Sequence, residues 1–438
     1  MVILIVVLAP IGAFTLIVAN SRVPPFPTAW ESSLPGYSSE SSPVVQSYSV
    51  YSLRVLNFSN VNPDECEYQA VSTSLLNGSR LWSTQIITNG LACLSAGLFY
   101  FDHGVFFIGV DSVGSNQMVL TEMNASTGVI LSSNPEPQPG TSFWPEQLTF
   151  AGYDGTVYAV GEIGWTTISV EALSLQGGGA VLWDRNVTVP GNSGWDNSEP
   201  IVHADAKGVA FFLHDQLRIF GSSFQTSGSA AYSGYLPGDG LRAGLTDNVT
   251  FLTGTPVIDG MVYYLTGSYA SPRVCGANLT DGSLAANFSV PFSVSVNGTA
   301  EELYATGNEL MVTGDTGAVA FDLLGNMLWS QHVRNGGQFA NPVTLSDDLV
   351  LLQWQNSEVY SMASSTSGLV YDATYVIVNA SNGRVLWNTV YSAWIGIPPW
   401  TPPSPDFPPS YLASTYSNGL LLVEGRQSLC GVEVSHLI

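Results

Sequence analysis

The chain has 438 residues, a formal net charge of −23 and only 10% charged residues. Its ten arginines and single lysine, Lys207, cannot neutralise a row of phosphates, which excludes nucleic-acid binding and a basic membrane-surface helix. A hydrophobic fraction of 45% excludes intrinsic disorder and leaves ample material for a large core.

About a quarter of an average domain is charged, so this surface must be covered mainly by Ser, Thr, Asn and Gly. That composition suits an extracellular protein kept soluble by glycans. It also suits an acidic habitat, where few carboxylates change state.

Residues 1–21, MVILIVVLAPIGAFTLIVANS, carry no charge. The run is long enough to span a bilayer and reads as a hydrophobic helix. It is an anchor, a filament core or a signal peptide. Nothing basic precedes it, and Ile17-Val18-Ala19 is a poor cleavage site. The run resembles the N-terminal apolar helix of type IV pilins, without a visible processing site. That resemblance implies self-association through bundled helices. Residues 22–45 are rich in Pro and Ser and read as an extended linker, with the globular part at 46–438.

The body shows no helical period but many short β-rich runs with Gly, Asn and Asp turns. One element is a strand, a turn with Gly, then an apolar strand ending in Trp. Its copies are SLLNGSRLW at Trp82, SLQGGGAVLW at Trp183, FDLLGNMLW at Trp329 and VNASNGRVLW at Trp387. Spacings of 101, 146 and 58 residues indicate a period near 50. Degenerate copies stand at 123–133, 224–234 and 277–288, which makes seven. A second element is a hairpin, with seven copies at 98–110, 148–161, 201–214, 255–267, 303–314, 343–354 and 412–425. Asp-Gly and Asn-Gly supply the positive φ that tight hairpin turns require.

The two elements alternate, so each pair is a four-stranded unit of propeller-blade size. The first Trp motif precedes the first hairpin, and the last hairpin has no motif after it. Joining these leftover halves predicts an all-β, seven-bladed propeller of four-stranded blades, closed between the chain ends. Closure removes the exposed sheet edges of an open array.

These segments resemble the PQQ-like (quinoprotein-type) β-propeller repeat, which has a dG-v-y hairpin followed by an alnaxtGxxlW segment. VIVNASNGRVLW and GTVYAV match it, and the resemblance covers roughly residues 65–430. It implies that Trp82, Trp183, Trp329 and Trp387 dock between neighbouring blades. Quinone-dependent members have eight blades with acidic calcium and catalytic residues. Those residues cannot be placed here, so the fold carries over and the cofactor does not.

Cys66, Cys93, Cys275 and Cys430 allow three pairings. In the closed-ring reading, Cys66 and Cys430 share the closing blade, which predicts Cys66–Cys430 and leaves Cys93–Cys275. Four buried free thiols are the alternative. N-glycosylation sequons stand at Asn57, Asn77, Asn124, Asn186, Asn248, Asn278, Asn287, Asn297 and Asn379. Four of these, at 77, 124, 278 and 379, fall at the turn of the Trp motif. A glycan needs an exposed site, and that turn joins outer strands.

Catalytic and metal signatures are absent from the sequence: there is no HExxH, GxSxG, P-loop or EF-hand loop. His203 and Asp205 share a hairpin with His214 and Asp215. A turn near Lys207 pairs His203 with about residue 211, so the histidines are not opposite and read as ordinary strand residues. The Pro-rich run 397–410 reads as an inter-blade loop, or as a stiff docking arm.

The resulting expectation is a non-enzymatic extracellular structural protein, a glycosylated cell-surface or pilus-like filament subunit without a cofactor. Its partners would be copies of itself, N-linked glycans and a membrane. The alternatives are a binding module whose central funnel takes a glycan or protein, and a degenerate quinoprotein-type enzyme.

Overall fold

Short turn sequences fix the local structure. Asp154-Gly155, Asp259-Gly260 and Asn418-Gly419 take positive φ at both positions, and each joins two antiparallel strands. Asp102-His103 does the same between Phe101 and Gly104. Their backbone twist matches that of the flanking strands, which is why these pairs nucleate hairpins. All seven hairpins expected between 98 and 425 are present.

The computed structural model describes residues 28–35, 37–38, 43–58, 65–89, 96–111, 117–135, 148–164, 167–176, 178–188, 201–205, 208–213, 216–221, 232–235, 257–268, 271–278, 283–291, 300–314, 317–332, 338–346, 348–362, 366–397, 412–425 and 428–438. Their strands form eight antiparallel sheets. Blade I sets Tyr37–Ser38 and Val44–Gln46 against Ser49–Phe58, followed by Glu65–Ser74 and Arg80–Asn89. Blade II is Gly97–Phe101, Gly104–Asp111, Gln117–Asn124 and Ile130–Pro135. Blade III is Leu148–Tyr153, Thr156–Gly164, Thr167–Ser174 and Ala180–Thr188. Blade IV is Ile201–Asp205, Gly208–Leu213, Gln216–Gly221 and Tyr232–Tyr235. Blade V is Val257–Ile258, Met261–Ser268, Ser271–Asn278 and Leu284–Ser289. Blade VI is Ala300–Thr306, Glu309–Gly314, Gly317–Asp322 and Met327–His332. Blade VII is Gln338–Ser346, Leu349–Met362, Thr366–Asn379 and Val385–Ile397. Blade VIII is Leu412–Ser417, Leu420–Gly425 and Ser428–Glu433, with Trp30–Ser33 as its outermost strand.

Inner strands such as Glu309–Gly314, Gly317–Asp322 and Ser428–Glu433 are buried on both faces near their middle, because their sheets are covered on both sides by neighbours. Tyr51, Leu53 and Phe107 fill the space between blades I and II. Leu310, Val312 and Tyr263 fill that between V and VI. Val350 and Leu352 face blade VI, whereas Leu351 faces blade VIII, the period-two alternation of a strand buried on both sides. The result is a β-propeller of four-stranded blades.

Among the described residues the sheets number eight, against the seven blades expected, and both leftover repeat halves explain the difference. The Trp82 motif is completed by a hairpin, Val44–Gln46 with Ser49–Phe58. The last hairpin is completed by Trp30–Ser33, in register Trp30↔Gly431 to Ser33↔Ser428. The two halves therefore belong to neighbouring blades, not to one shared blade. Both completing pieces draw on residues 22–45, so the ring starts at about residue 28, inside the stretch read as linker. Residues 1–21, where the hydrophobic helix is expected, lie outside the described residues. Among the described residues no helix is long and apolar enough to cross a membrane.

The expected Cys66–Cys430 disulfide is not formed, because Cys275 and Cys430 are buried free thiols. Strand alternation gives the reason. Leu429 faces blade I, but Cys430 faces blade VII, away from the strand that carries Cys66. The proposed partner of Cys275, Cys93, lies outside the described residues.

Candidate functional site: the closing joint and the outer rim

The outer strands carry a repeated docking device. The Trp82 indole N–H donates to the Ala125 carbonyl of blade II at 2.8 Å. Trp329 donates to the equivalent Ala380 carbonyl of blade VII. Each ring lies on a turn glycine of the next blade, and a Cβ at Gly128 or Gly383 would come within 2.6 Å of it. Both glycines also have positive φ, so conformation and space both require glycine there. Two residues beyond each Trp, Thr84 and Gln331 donate to the carbonyls of those same glycines. Where the motif lacks Trp, other side chains cover the glycine: Phe288 of the outer strand lies against Gly325, and Leu120 of the third strand of blade II lies against Gly179. Trp183 is buried on blade III, and Trp387 is half-buried against the cluster between VII and VIII.

Trp30 extends this series to blade VIII, at the joint that closes the ring. Its indole N–H donates to the Leu75 carbonyl at 2.9 Å, and its ring lies between Gly78 and Gly431. The Ala29 amide donates to the Gly431 carbonyl at 2.8 Å, and the Asn418 side chain donates to the Ser47 carbonyl at 3.0 Å. Beneath these contacts Arg54 and Glu424 form an ion pair at 3.7 Å, with Arg54 fully buried. The Arg54 Nε also donates to the Pro35 carbonyl at 3.3 Å. Burial pushes the Glu424 carboxyl up to about 7, against the pull of the Arg54 charge, and the same burial lowers the Arg54 guanidinium.

Among the described residues, the outermost strands and their turns expose large apolar side chains on six blades. Examples are Leu76 and Leu81 on blade I, Leu131 on II, Leu182 on III, Leu284 on V, Leu324 on VI and Val385 on VII. Among the described residues, no further strand pairs with the far side of these outer strands.

Six of the seven described sequons lie on this rim. Asn77, Asn124, Asn278 and Asn379 stand at motif turns, and Asn186 and Asn287 lie exposed on outer strands. Asn57 lies in the strand Ser49–Phe58; Asn248 and Asn297 fall outside the described residues. Asn77 Oδ1 accepts from the Ser79 amide at 3.0 Å, and Asn124 Oδ1 from the amides of Ser126 and Thr127 at 3.0 and 3.1 Å. Asn379 Oδ1 accepts from the Asn382 amide at 3.2 Å. Asx turns of this kind account for Asn at the position.

Among the described residues no three His, Cys, Asp or Glu side chains gather where they could hold a metal. His203 pairs with Ala210, one residue short of the expected partner, and His214 lies outside the described residues. His103 is in an exposed turn, His332 ends an exposed strand, and His436 meets Glu433 at 3.0 Å on the surface. At the VI–VII joint, burial and the nearby Asp348 raise the Glu309 carboxyl. Sequence reasoning missed Trp30 and the Arg54–Glu424 pair. The available signals were a Trp inside the supposed linker and single charges inside apolar strands, SVYSLRVLNF and LLLVEG.

No family model and no curated protein matches the chain. Solved structures do. BamB from Moraxella catarrhalis is 13% identical with a TM-score of 0.43, over 75% of this chain and 97% of that one. The WD40 domain of SCAP from fission yeast is 10% identical with a TM-score of 0.43, over 92% and 98%. A europium-containing methanol dehydrogenase is 9% identical with a TM-score of 0.37, over 92% and 78%. None of these carries a function over to this chain.

Proposed function

We propose that the protein is an extracellular structural subunit: a glycosylated propeller held at a surface or filament by its apolar segment 1–21, which self-associates. The observation that carries this reading is the position of the closing strand. Trp30–Ser33 is the outermost strand of blade VIII, and the uncharged run ends at residue 21. Only residues 22–27 lie between the run and the described ring. Six residues reach at most roughly 20 Å. Whatever takes up the apolar run, a bilayer or a bundle of like segments, holds the rim of blade VIII close to it. The ring then acts as a rigid head on a short tether, not as a domain on a long flexible arm.

The charge-poor, sequon-bearing surface supports the same reading. So does the rim of blade VI, where Leu324 is 86% exposed and the turn carries no sequon. An apolar patch of this kind suits contact with a second copy. Intact-mass analysis and N-terminal sequencing of native protein, with electron microscopy of the same sample, test the reading. Retained residues 1–21 in fibres or in a membrane fraction support it. A soluble monomer lacking them overturns it.

A further inference from the structure

We infer that the motif-turn sequons Asn77, Asn124 and Asn379 carry N-linked glycans whose role is to cover the apolar outer rim beside them. The inference rests on the extracellular reading above and assigns those glycans a place and a task. Six blades expose large apolar residues at the motif turn or outer strand, and five of the six also carry a sequon there. On blade I, Asn77 lies between Leu76 and Leu81. On blade II, Asn124 bonds across its turn to Val129, next to Ile130 and Leu131. On blade VII, Asn379 bonds across to Arg384, next to Val385. On blade V, Asn278 bonds across to Ser283, next to Leu284. On blade III, Asn186 lies four residues from Leu182 along one outer strand, and both are exposed.

The turn geometry presents the right atom. In Asn77, Asn124 and Asn379 the Oδ1 is engaged by backbone amides of the turn, so Nδ2, the other arm of the planar amide, points away from them. The +2 residues Ser79, Ser126 and Ser381 are all exposed. The donor is a sugar on a lipid diphosphate. The Nδ2–C1 bond forms as the sugar C1–O bond breaks; the diphosphate leaves with the electron pair, and Nδ2 gives up one proton. Each glycan then projects from the mouth of a turn beside an unpaired edge strand. Unpaired edges and contiguous apolar residues are association hazards, and a bulky hydrated chain at that point blocks approach.

The experiment uses full-length protein made in a host with N-glycosylation machinery. Glycopeptide mass spectrometry reads occupancy, and light scattering with a hydrophobic dye reads the rim. Glycans are removed enzymatically from folded protein, so no refolding is needed. In parallel, a variant carrying Ser79→Ala, Ser126→Ala and Ser381→Ala abolishes the three sequons while keeping the turn asparagines. The inference expects occupancy at Asn77, Asn124 and Asn379. It expects several-fold higher dye binding and association in both stripped forms, reversed by adding Leu81→Ser and Leu131→Ser. Occupancy at other sequons but not at these three overturns the inference and leaves the extracellular reading standing. No occupancy at any of the nine overturns both. Occupied turns whose removal leaves dye binding and association unchanged overturn the shielding role.

Discussion

Replacing Trp30 tests whether the ring closes where the structure places it. Trp30 is buried, its indole N–H satisfies the Leu75 carbonyl, and its ring fills the space above Gly78 and Gly431. Trp30→Ala removes a large buried side chain, which costs about 3–5 kcal/mol. Part of that cost is the Leu75 carbonyl, left buried without its donor at about 1–3 kcal/mol. Trp30→Phe keeps most of the apolar contact and should cost about 1–2 kcal/mol for the lost hydrogen bond. Urea unfolding of the three proteins gives the energies from the midpoints. Amide exchange localises the effect, with the fastest gain expected at residues 428–431, which pair with the closing strand. The exposed Tyr48→Ala is the control, expected within ±0.5 kcal/mol of the parent. If Trp30→Ala behaves like Tyr48→Ala, residues 28–35 do not close the ring and the reasoning fails.

Three further outcomes follow from the same geometry. Gly128→Ala combines a positive φ with a Cβ 2.6 Å from the Trp82 ring, so a loss of about 2–4 kcal/mol is expected in urea unfolding; a neutral result would mean that Trp82 does not dock there. Glu424 has a folded-state pKa raised to about 7 from 4.5, so the folded state holds its proton more tightly than the unfolded chain. This group imposes no penalty below about pH 4.5, and stability falls on the order of 3 kcal/mol as pH rises to about 7. Glu424→Gln should remove that slope, and a slope that survives would assign it to other groups. Burial pushes the Cys430 thiol up to about 12 and also raises that of Cys275; neither should react with iodoacetamide in the native state, and both should react on unfolding. Rapid native labelling of either would contradict the buried placement.

The legible part of the fold was the part written in local chemistry. Asp154-Gly155 and Asn418-Gly419 announce hairpins because few other pairs accept positive φ at both positions. The eighth hairpin was hidden because it turns at Ser47-Tyr48, where only Ser47 takes positive φ and no Gly marks the place. Trp30 was hidden by its setting, since the prolines at 24, 25 and 27 read as linker. The Cys66–Cys430 expectation failed on parity, because one step along a strand reverses the face and sends Cys430 toward blade VII. Arg54 and Glu424 each stand out as a lone charge in an apolar strand, but nothing in the sequence pairs them. They are 370 residues apart and meet only because the chain ends close a ring. The sequon turns were legible, since Asn is both the turn former and the acceptor residue. Their place beside exposed leucines and valines required the sheet register.

The central claim is a closed ring of eight blades held by a short tether to an apolar segment. Electron cryo-microscopy of native, full-length protein tests it most directly. Eight sheets are expected, with Trp30 seated between Gly78 and Gly431 and the rim of blade VIII turned toward the body that holds residues 1–21. A monodisperse propeller whose chain begins beyond residue 21, or a ring closed without residues 30–33, would contradict it.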